Sequence, residues 1–439
     1  MNPFVAERAT HEAHTLIITT SLSIESPKAE GRDARRLAER EPETMHIQEI
    51  RLSDFRNYAT LTLEPGHGVN VLVGRNAQGK SNLLEAIQVL ATTRSLRAGR
   101  DSELIRKGAS QAEVEATVVR EDSGEHHLLL SVAPNDRKTV RINGSRPQRG
   151  IELLGHLNAV FFGSVDLGVV NAEPSVRRRF LNLDISQISP KYCFDLAAYK
   201  RALEQRNRLL REMRDGFRHA EALEAWTEQV VRYGVPILEK RRTFVQRLAP
   251  LAAEVHDELT SGRERLWVEY APNVPIDRRA GLSEIEQAFR ACIAQAAQDE
   301  MRRGATLVGP QRDDIRFEVD RMDARIYGSQ GQQRTVVLSL KLAEFRLMEE
   351  YTGEPPVMLM DDVMSDLDDL RRRRLVHWLR RRRQAFVSCT NLRGFPPEVL
   401  REATVLRVER GTLTRESSDR VAEECLDAYD AGNKESDTP

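Results

Sequence analysis

The run Gly74-Arg75-Asn76-Ala77-Gln78-Gly79-Lys80-Ser81 fits the spacing G-x-x-x-x-G-K-[ST] at every fixed position. Those residue types suit one task. Glycines let successive backbone N–H groups curl around phosphate oxygens, and a following helix N-terminus adds its partial positive charge. Lys80 is placed to reach the β- and γ-phosphates of a nucleoside triphosphate, and the Ser81 hydroxyl to ligate Mg²⁺. Residues 74–81, with Asn82 behind them, are therefore the candidate ATP-binding loop, and Lys80 is also a catalytic candidate. Such a loop works only between a strand and a helix. Val69-Asn70-Val71-Leu72-Val73 reads as a short buried strand, and Asn82-Leu83-Leu84-Glu85-Ala86-Ile87 as the first turns of a helix.

The C-terminal third supplies the complementary parts. Pro356-Val357-Met358-Leu359-Met360-Asp361-Asp362 is an apolar strand ending in two carboxylates, the form of a Walker B element. Asp361 is placed to hold Mg²⁺ through water, and Asp362 to orient or deprotonate an attacking water. Upstream, Ser329-Gln330-Gly331-Gln332 precedes a helix striped with Val336, Val337, Leu340, Ala343 and Leu347. This Ser-x-Gly-Gln core resembles the signature motif of ABC-type ATPases. It aims a helix N-terminus, with the Ser329 hydroxyl, the Gly331 N–H and Gln332, at the γ-phosphate of a nucleotide held by another subunit. Ser365-Asp366-Leu367-Asp368 falls where such ATPases carry their D-loop.

Around these motifs the chain resembles the RecF family of bacterial recombinational repair ATPases, from about residue 46 to about residue 410. The resemblance rests on Phe55-Arg56-Asn57-Tyr58, on Arg94-Ser95-Leu96-Arg97, and on Gly309-Pro310-Gln311-Arg312-Asp313-Asp314. It rests also on two segments that general ABC proteins lack, Arg177-Arg178-Arg179-Phe180-Leu181 and Tyr199-Lys200-Arg201-Ala202-Leu203-Glu204-Gln205-Arg206-Asn207. The chain departs from the family pattern at Gln311 (His), Asn182 (Asp), Gly163-Ser164-Val165-Asp166 (S-P-E-D) and Ser81 (Thr). All but Ser81 are expected in loops that face nucleotide or DNA. The resemblance implies a slow ATPase that dimerises on ATP and binds gapped DNA near single-strand/double-strand junctions. It also implies RecR and RecO as partners in loading RecA. Two other classes share the motifs: an SMC-like ATP-gated clamp, and the nucleotide-binding subunit of a membrane transporter.

The pattern around the motifs predicts an α/β ABC-type P-loop ATPase head, a mixed sheet with helices, split by an inserted helical lobe. Residues 1–44, charged and without sustained periodicity, read as a disordered extension, with Met45 a candidate translation start. The first half of the head spans 45–165 and is strand-rich, ending one hairpin at Asn143-Gly144. The helical lobe spans 166–300. Tyr192, Leu196, Tyr199, Leu203 and Leu210 share one helix face there, and Leu223, Trp226 and Val230 continue it in a second helix that Gly234 and Pro236 interrupt or end. The second half spans 301–412, and 413–439 reads as an acidic disordered tail.

Composition bounds the rest. At 439 residues the chain is long enough for two or three domains. No apolar run approaches the roughly 18 residues that span a bilayer, so no membrane role is expected. Four scattered cysteines without a C-x-x-C pair predict reduced thiols in a cytoplasmic protein. A net charge of −1 excludes a uniformly basic DNA coat. Arginine clusters at 177–179, 371–374 and 380–383 are candidates for phosphate contact, or else solvated helix faces paired with acids such as Asp368 and Asp369.

Overall fold

The computed structural model describes residues 44–134, 137–217, 219–367, 369–379, 384–392 and 395–423. The reading of residues 1–44 falls, except for Thr44, outside the described residues. So do those of Arg380-Arg381-Arg382-Arg383, Asp368 and residues 424–439.

In chain order the strands are β1 (His46–Phe55), β2 (Tyr58–Leu63), β3 (Val69–Val73), β4 (Ala112–Arg120), β5 (Gly124–Ala133), β6 (Arg137–Ile142), β7 (Ala159–Gly163) and β8 (Leu266–Ala271). They continue with β9 (Asp314–Val319), β10 (Met322–Asp323), β11 (Val357–Asp361), β12 (Ala385–Cys389), β13 (Thr404–Glu409) and β14 (Thr412–Glu416). The α-helices are α1 (Lys80–Thr92), α2 (Leu167–Asn171), α3 (Pro174–Ile188), α4 (Pro190–Arg214) and α5 (Ala220–Thr260). After them come α6 (Leu282–Arg303), α7 (Gln330–Thr352), α8 (Asp369–Leu379) and α9 (Pro397–Glu402).

Two sheets build the head. An antiparallel sheet runs β2-β1-β4-β5-β6, and a second runs β14-β13-β3-β12-β11-β7, parallel apart from β14. Strands β3, β7 and β12 of the second sheet are buried along their whole length, and β11 up to Asp361, which matches their mostly apolar sequences. Alternate residues serve different cores. Leu72, Leu359, Phe386 and Leu406 pack toward α1 and the antiparallel sheet, whereas Val71, Met360, Val387 and Val405 pack toward the other helices. Helix α1 thus lies between the two sheets, with Leu83, Leu84, Ile87 and Leu90 fully buried. A small third sheet, β10-β9-β8, packs on α5.

Two expectations are corrected by packing. Gly234 and Pro236 do not interrupt the second helix of the lobe: α5 is continuous over 41 residues, with Pro236 and Pro250 inside it. An interior proline loses a backbone hydrogen bond, but burial of Val230, Val231, Ile237, Leu238 and Phe244 outweighs that loss. Gly234 marks a close approach instead of a stop, since a Cβ there would stand 2.5 Å from the Phe289 ring. The tail does not begin at 413 either. Residues 412–416 form β14, whose register pairs Val405 with Glu416 and Glu409 with Thr412, and residues 418–423 are helical.

Candidate nucleotide site

The loop joins β3 to α1, and its last glycine is fixed by conformation. Gly79 has φ 124°, and a Cβ there would meet Asn57 Nδ2 at 2.8 Å and the Tyr58 hydroxyl at 3.0 Å. Behind it α1 starts without a side-chain cap and without an acid in its first turn. The Asn82 and Leu83 N–H groups donate to the Gly79 carbonyl at 2.9 and 3.1 Å. The donors this helix start could offer an anion are therefore those of Lys80 and Ser81. Lys80 is buried, and its Nζ donates to the Gly74 carbonyl at 2.6 Å and the Arg75 carbonyl at 2.9 Å.

Strand order brings the two carboxylates to the loop. β12 lies between β3 and β11, pairing Ser388 with both Leu72 and Asp361. Asp361 Oδ1 accepts from Ser81 Oγ and from Ser388 Oγ, each at 2.7 Å. Asp362 sits in the left-handed region at φ 55°. Its N–H donates to Ser388 Oγ at 3.0 Å, and its carbonyl accepts from Ser365 Oγ at 2.8 Å. Asn76, Ala77, Gly79, Lys80, Ser81, Asn82, Asp361, Asp362 and Ser365 line one cleft of about 230 Å³. Its oxygen donors suit a hard cation that retains waters and takes further oxygens from phosphate. Among the described residues no cluster of three His, Cys, Asp or Glu side chains could hold a metal alone. Ser81 and Asp361, joined at 2.7 Å, are the oxygens that such a cation would meet here.

Ser329 caps α7, accepting from the Gln332 N–H at 3.2 Å, while Gln332 Oε1 accepts from the Ser329 N–H at 2.9 Å. This reciprocal box leaves the Ser329 hydroxyl proton to donate outward. The Gln332 amide donates to Glu264 Oε1 at 3.1 Å. Ser329, Gln330 and Gly331 are exposed, and none of the signature residues lines the cleft that holds Lys80.

Residues outside the phosphate loop and the Walker B strand complete the site. Asn57 Nδ2 donates to the Gln78 carbonyl at 3.0 Å, Asn82 Nδ2 donates to Asn57 Oδ1 at 2.8 Å, and the Tyr58 hydroxyl donates to the Gly79 carbonyl at 3.0 Å. The turn between β1 and β2 therefore grips the loop, and burial pushes the Tyr58 phenol upward from its ordinary range. In the sequence this turn is marked by Phe55-Arg56-Asn57-Tyr58. Arg97, Ser164 and Ser388 also line the cleft, with Arg97 donating to Asn82 Oδ1 at 3.3 Å.

Ser164 leads to a buried charge cluster. Asp166 Oδ2 accepts from the Gly163 N–H at 2.8 Å, Lys341 approaches Asp166 at 3.4 Å and Glu344 at 2.8 Å, and Asp184 lies beside them. Burial raises the carboxyls of Asp184, Glu344 and Asp166. Burial alone would lower Lys341, but Asp166, Glu344 and Asp184 overcome it and raise the ammonium. Because the Asp184 carboxyl is raised in the fold, its contribution is full below the ordinary carboxylate range of about 4 and is lost as pH rises toward the raised value. Asp184→Asn, which needs no proton, should therefore gain thermal stability relative to the unsubstituted chain as pH increases from about 4 to about 8. Melting curves across that range check it, and a difference constant with pH would contradict it.

The arginine clusters also make contacts within the chain. Arg177 is buried and pairs with Asp314 at 2.5 Å, Arg178 donates to the Asp313 carbonyl, and Arg179 donates to the Ser95 carbonyl. Arg177 thus ties α3 to β9 from within, while Arg178 is half-buried and Arg179 is exposed. Arg372 likewise donates to the carbonyls of Met364 and Leu367, and Arg374 to Glu258 and Ser261. Of the family departures, Ser164 faces the cleft. Gln311 instead accepts from the Tyr199 hydroxyl, and Asn182 from the Tyr192 hydroxyl and Arg241.

The family model described as "RecF/RecN/SMC N terminal domain" matches residues 46–406. The DNA replication and repair protein RecF of Halalkalibacterium halodurans is 41% identical over 372 residues, covering 84% of this chain and all of that protein. Its counterpart from Gloeobacter violaceus is 43% identical over 373 residues, covering 84% of this chain and 98% of the relative. A solved structure of the recombination mediator RecF with ATP, from the RecFOR pathway, superposes with a TM-score of 0.79 at 31% identity, covering 86% of this chain and all of that one. The Smc head domain of Pyrococcus furiosus, at TM-score 0.50 and 18% identity, covers 88% of this chain and 99% of its own and shares the fold. With a phosphate loop, a Walker B pair and a signature helix arranged on this head, the chain belongs to the RecF family of DNA replication and repair proteins, built on an ABC-type ATPase head.

Proposed function

We propose that this chain is an ATP-gated DNA-binding protein of recombinational repair and replication. It dimerises around two ATP molecules, binds gapped DNA near single-strand/double-strand junctions, and works with RecR and RecO in loading RecA in the cytoplasm. The family relatives support the repair role. Among the described residues no helix is long and apolar enough to cross a membrane. The observation that carries the ATP-gated reading is the 2.7 Å contact between Ser81 Oγ and Asp361 Oδ1, set against an exposed signature cap outside that cleft. One subunit supplies the triphosphate cradle with residues 74–82, and the other supplies Ser329, Gly331 and Gln332.

Each residue has a separable task. Backbone N–H groups of the loop and the Lys80 ammonium bind the phosphates. Ser81 and, through water, Asp361 would hold Mg²⁺, which would supply neutralisation of phosphate charge. Asp362 takes or orients the proton of the attacking water. Its backbone is fixed by Ser388 and Ser365, so its carboxylate is delivered from a rigid turn. Cys389-Thr390 stand where many ABC ATPases place a histidine, consistent with slow turnover.

Asp362→Asn should therefore bind ATP within about twofold of the unsubstituted chain. It should hydrolyse at least about a hundredfold more slowly, the usual loss with a general base, and accumulate the dimer. Phosphate release and nucleotide titration on the same preparation test this. Unchanged turnover would remove Asp362 from the water-activating role.

A further inference from the structure

Cations gather on the surface beyond the C-terminal end of α1. Arg94 follows that helix, Arg179 stands on α3 and Lys200 on α4, and all three are exposed. Arg179 Nη2 donates to the Ser95 carbonyl, which places its guanidinium beside the turn that carries Arg94. Residues 150–153 pack against α4, and Gly150 faces the same turn, where a Cβ would stand 3.6 Å from the Thr93 side chain. The turn carrying Arg94 therefore meets α3 directly and α4 through residues 150–153.

No acid offsets these charges. Among the described residues none of Arg94, Arg179 and Lys200 has a carboxylate at ion-pair distance. Partial burial lowers the Arg179 guanidinium, and Arg94 lowers it further. Partial burial also lowers the Lys200 ammonium, followed by Arg94 and Arg241, and only the Cys193 thiol opposes them. Arg94 acts on both, so the three share one neighbourhood. Lys138, whose Nζ donates to the Thr93 carbonyl at 2.6 Å, already engages Asp101. Arg149, exposed next to Gly150, continues the cationic surface. Like charges this close repel, and an anion that bridges them relieves the repulsion. Cations on three separate elements suit successive phosphates of a polynucleotide, since each can neutralise one.

We infer that Arg94, Arg179 and Lys200 form a contact surface for the phosphates of duplex DNA, holding its backbone without reading its bases. The inference rests on the DNA-binding reading given above and adds where on this chain the duplex lies. Only Ser95 and Leu96 separate Arg94 from Arg97, which lines the nucleotide cleft, so the duplex is held beside that cleft.

The probe is a fluorescein-labelled duplex of three helical turns, titrated by anisotropy onto the full chain with a slowly hydrolysed ATP analogue over a salt series. For the unsubstituted chain the logarithm of the affinity should fall linearly with that of the salt concentration. Arg94→Gln and Lys200→Gln should each weaken binding roughly tenfold and reduce that slope by about 0.9, the value for one duplex phosphate, whatever the base sequence. Arg179→Gln should do the same. Because it also removes the Ser95 contact, Arg94→Glu replaces it should it fail to fold, with a larger loss than Arg94→Gln expected. Arg278→Gln, at an exposed cation outside the cluster, should leave the slope unchanged. Every variant should keep its melting temperature and ATP binding. A chain that binds no duplex would overturn the DNA-binding reading, and this site with it. Duplex binding that keeps its affinity and slope in Arg94→Gln and Lys200→Gln would overturn the site alone, as would an equal fall with Arg278→Gln. Polyglutamate bound as tightly as the duplex, and weakened by the same variants, would assign the cluster to an acidic protein and overturn the DNA assignment.

Discussion

Replacing Lys80 with alanine is expected to abolish ATP binding while leaving the fold in place. The ammonium is buried at the mouth of the loop and donates to the carbonyls of Gly74 and Arg75, so it is held where phosphates would lie. Two charge-assisted hydrogen bonds to phosphate oxygens are worth about 1.5–3 kcal/mol each, so the loss in affinity should be roughly a hundredfold to ten-thousandfold. The loop itself should survive. Its shape is fixed by Gly79 and by the grip of Asn57 and Tyr58, not by the lysine alone. Titration with a fluorescent ATP analogue, beside a melting curve, separates lost binding from lost folding. An affinity within about twofold of the unsubstituted chain would remove Lys80 from the phosphate site.

What sequence made legible here is local, and what it hid is contact at a distance. The β3–loop–α1 unit and the Asp361-Asp362 strand end are written in contiguous residues, and each forms as its pattern requires. Ser388 gave no such signal, because it matters only once β12 sits between β3 and β11 and brings its hydroxyl to Asp361. Asn57 and Tyr58 act on backbone carbonyls 21 residues away. Arg177-Arg178-Arg179 reads as a basic patch until Asp314, 137 residues later, is seen to meet Arg177. Gly234 and Pro236 carry a breaker signal that tertiary burial overrides, since α5 keeps packing its apolar stripe through both.

Ser329→Arg should separate binding from assembly. The signature cap is exposed and stands outside the cleft of its own chain, so a bulky cation there has no reason to disturb Lys80 or Ser81. It would occupy the surface where a second subunit must bring its γ-phosphate, and it would displace the hydroxyl that donates to it. It would also remove the capping bond to the Gln332 N–H, costing about 1 kcal/mol of helix stability, a small loss for a domain of this size. ATP binding by the monomer should stay within about threefold. ATP-dependent dimerisation and hydrolysis should be lost, because the composite site is never completed.

Sedimentation velocity of the full chain with ATP, with ADP and with a slowly hydrolysed ATP analogue tests the composite site most directly. The account predicts a dimer with ATP and with the analogue, a monomer with ADP, and a monomer in every case for Ser329→Arg. A dimer of equal strength in all three nucleotide states, unaffected by Ser329→Arg, would contradict it.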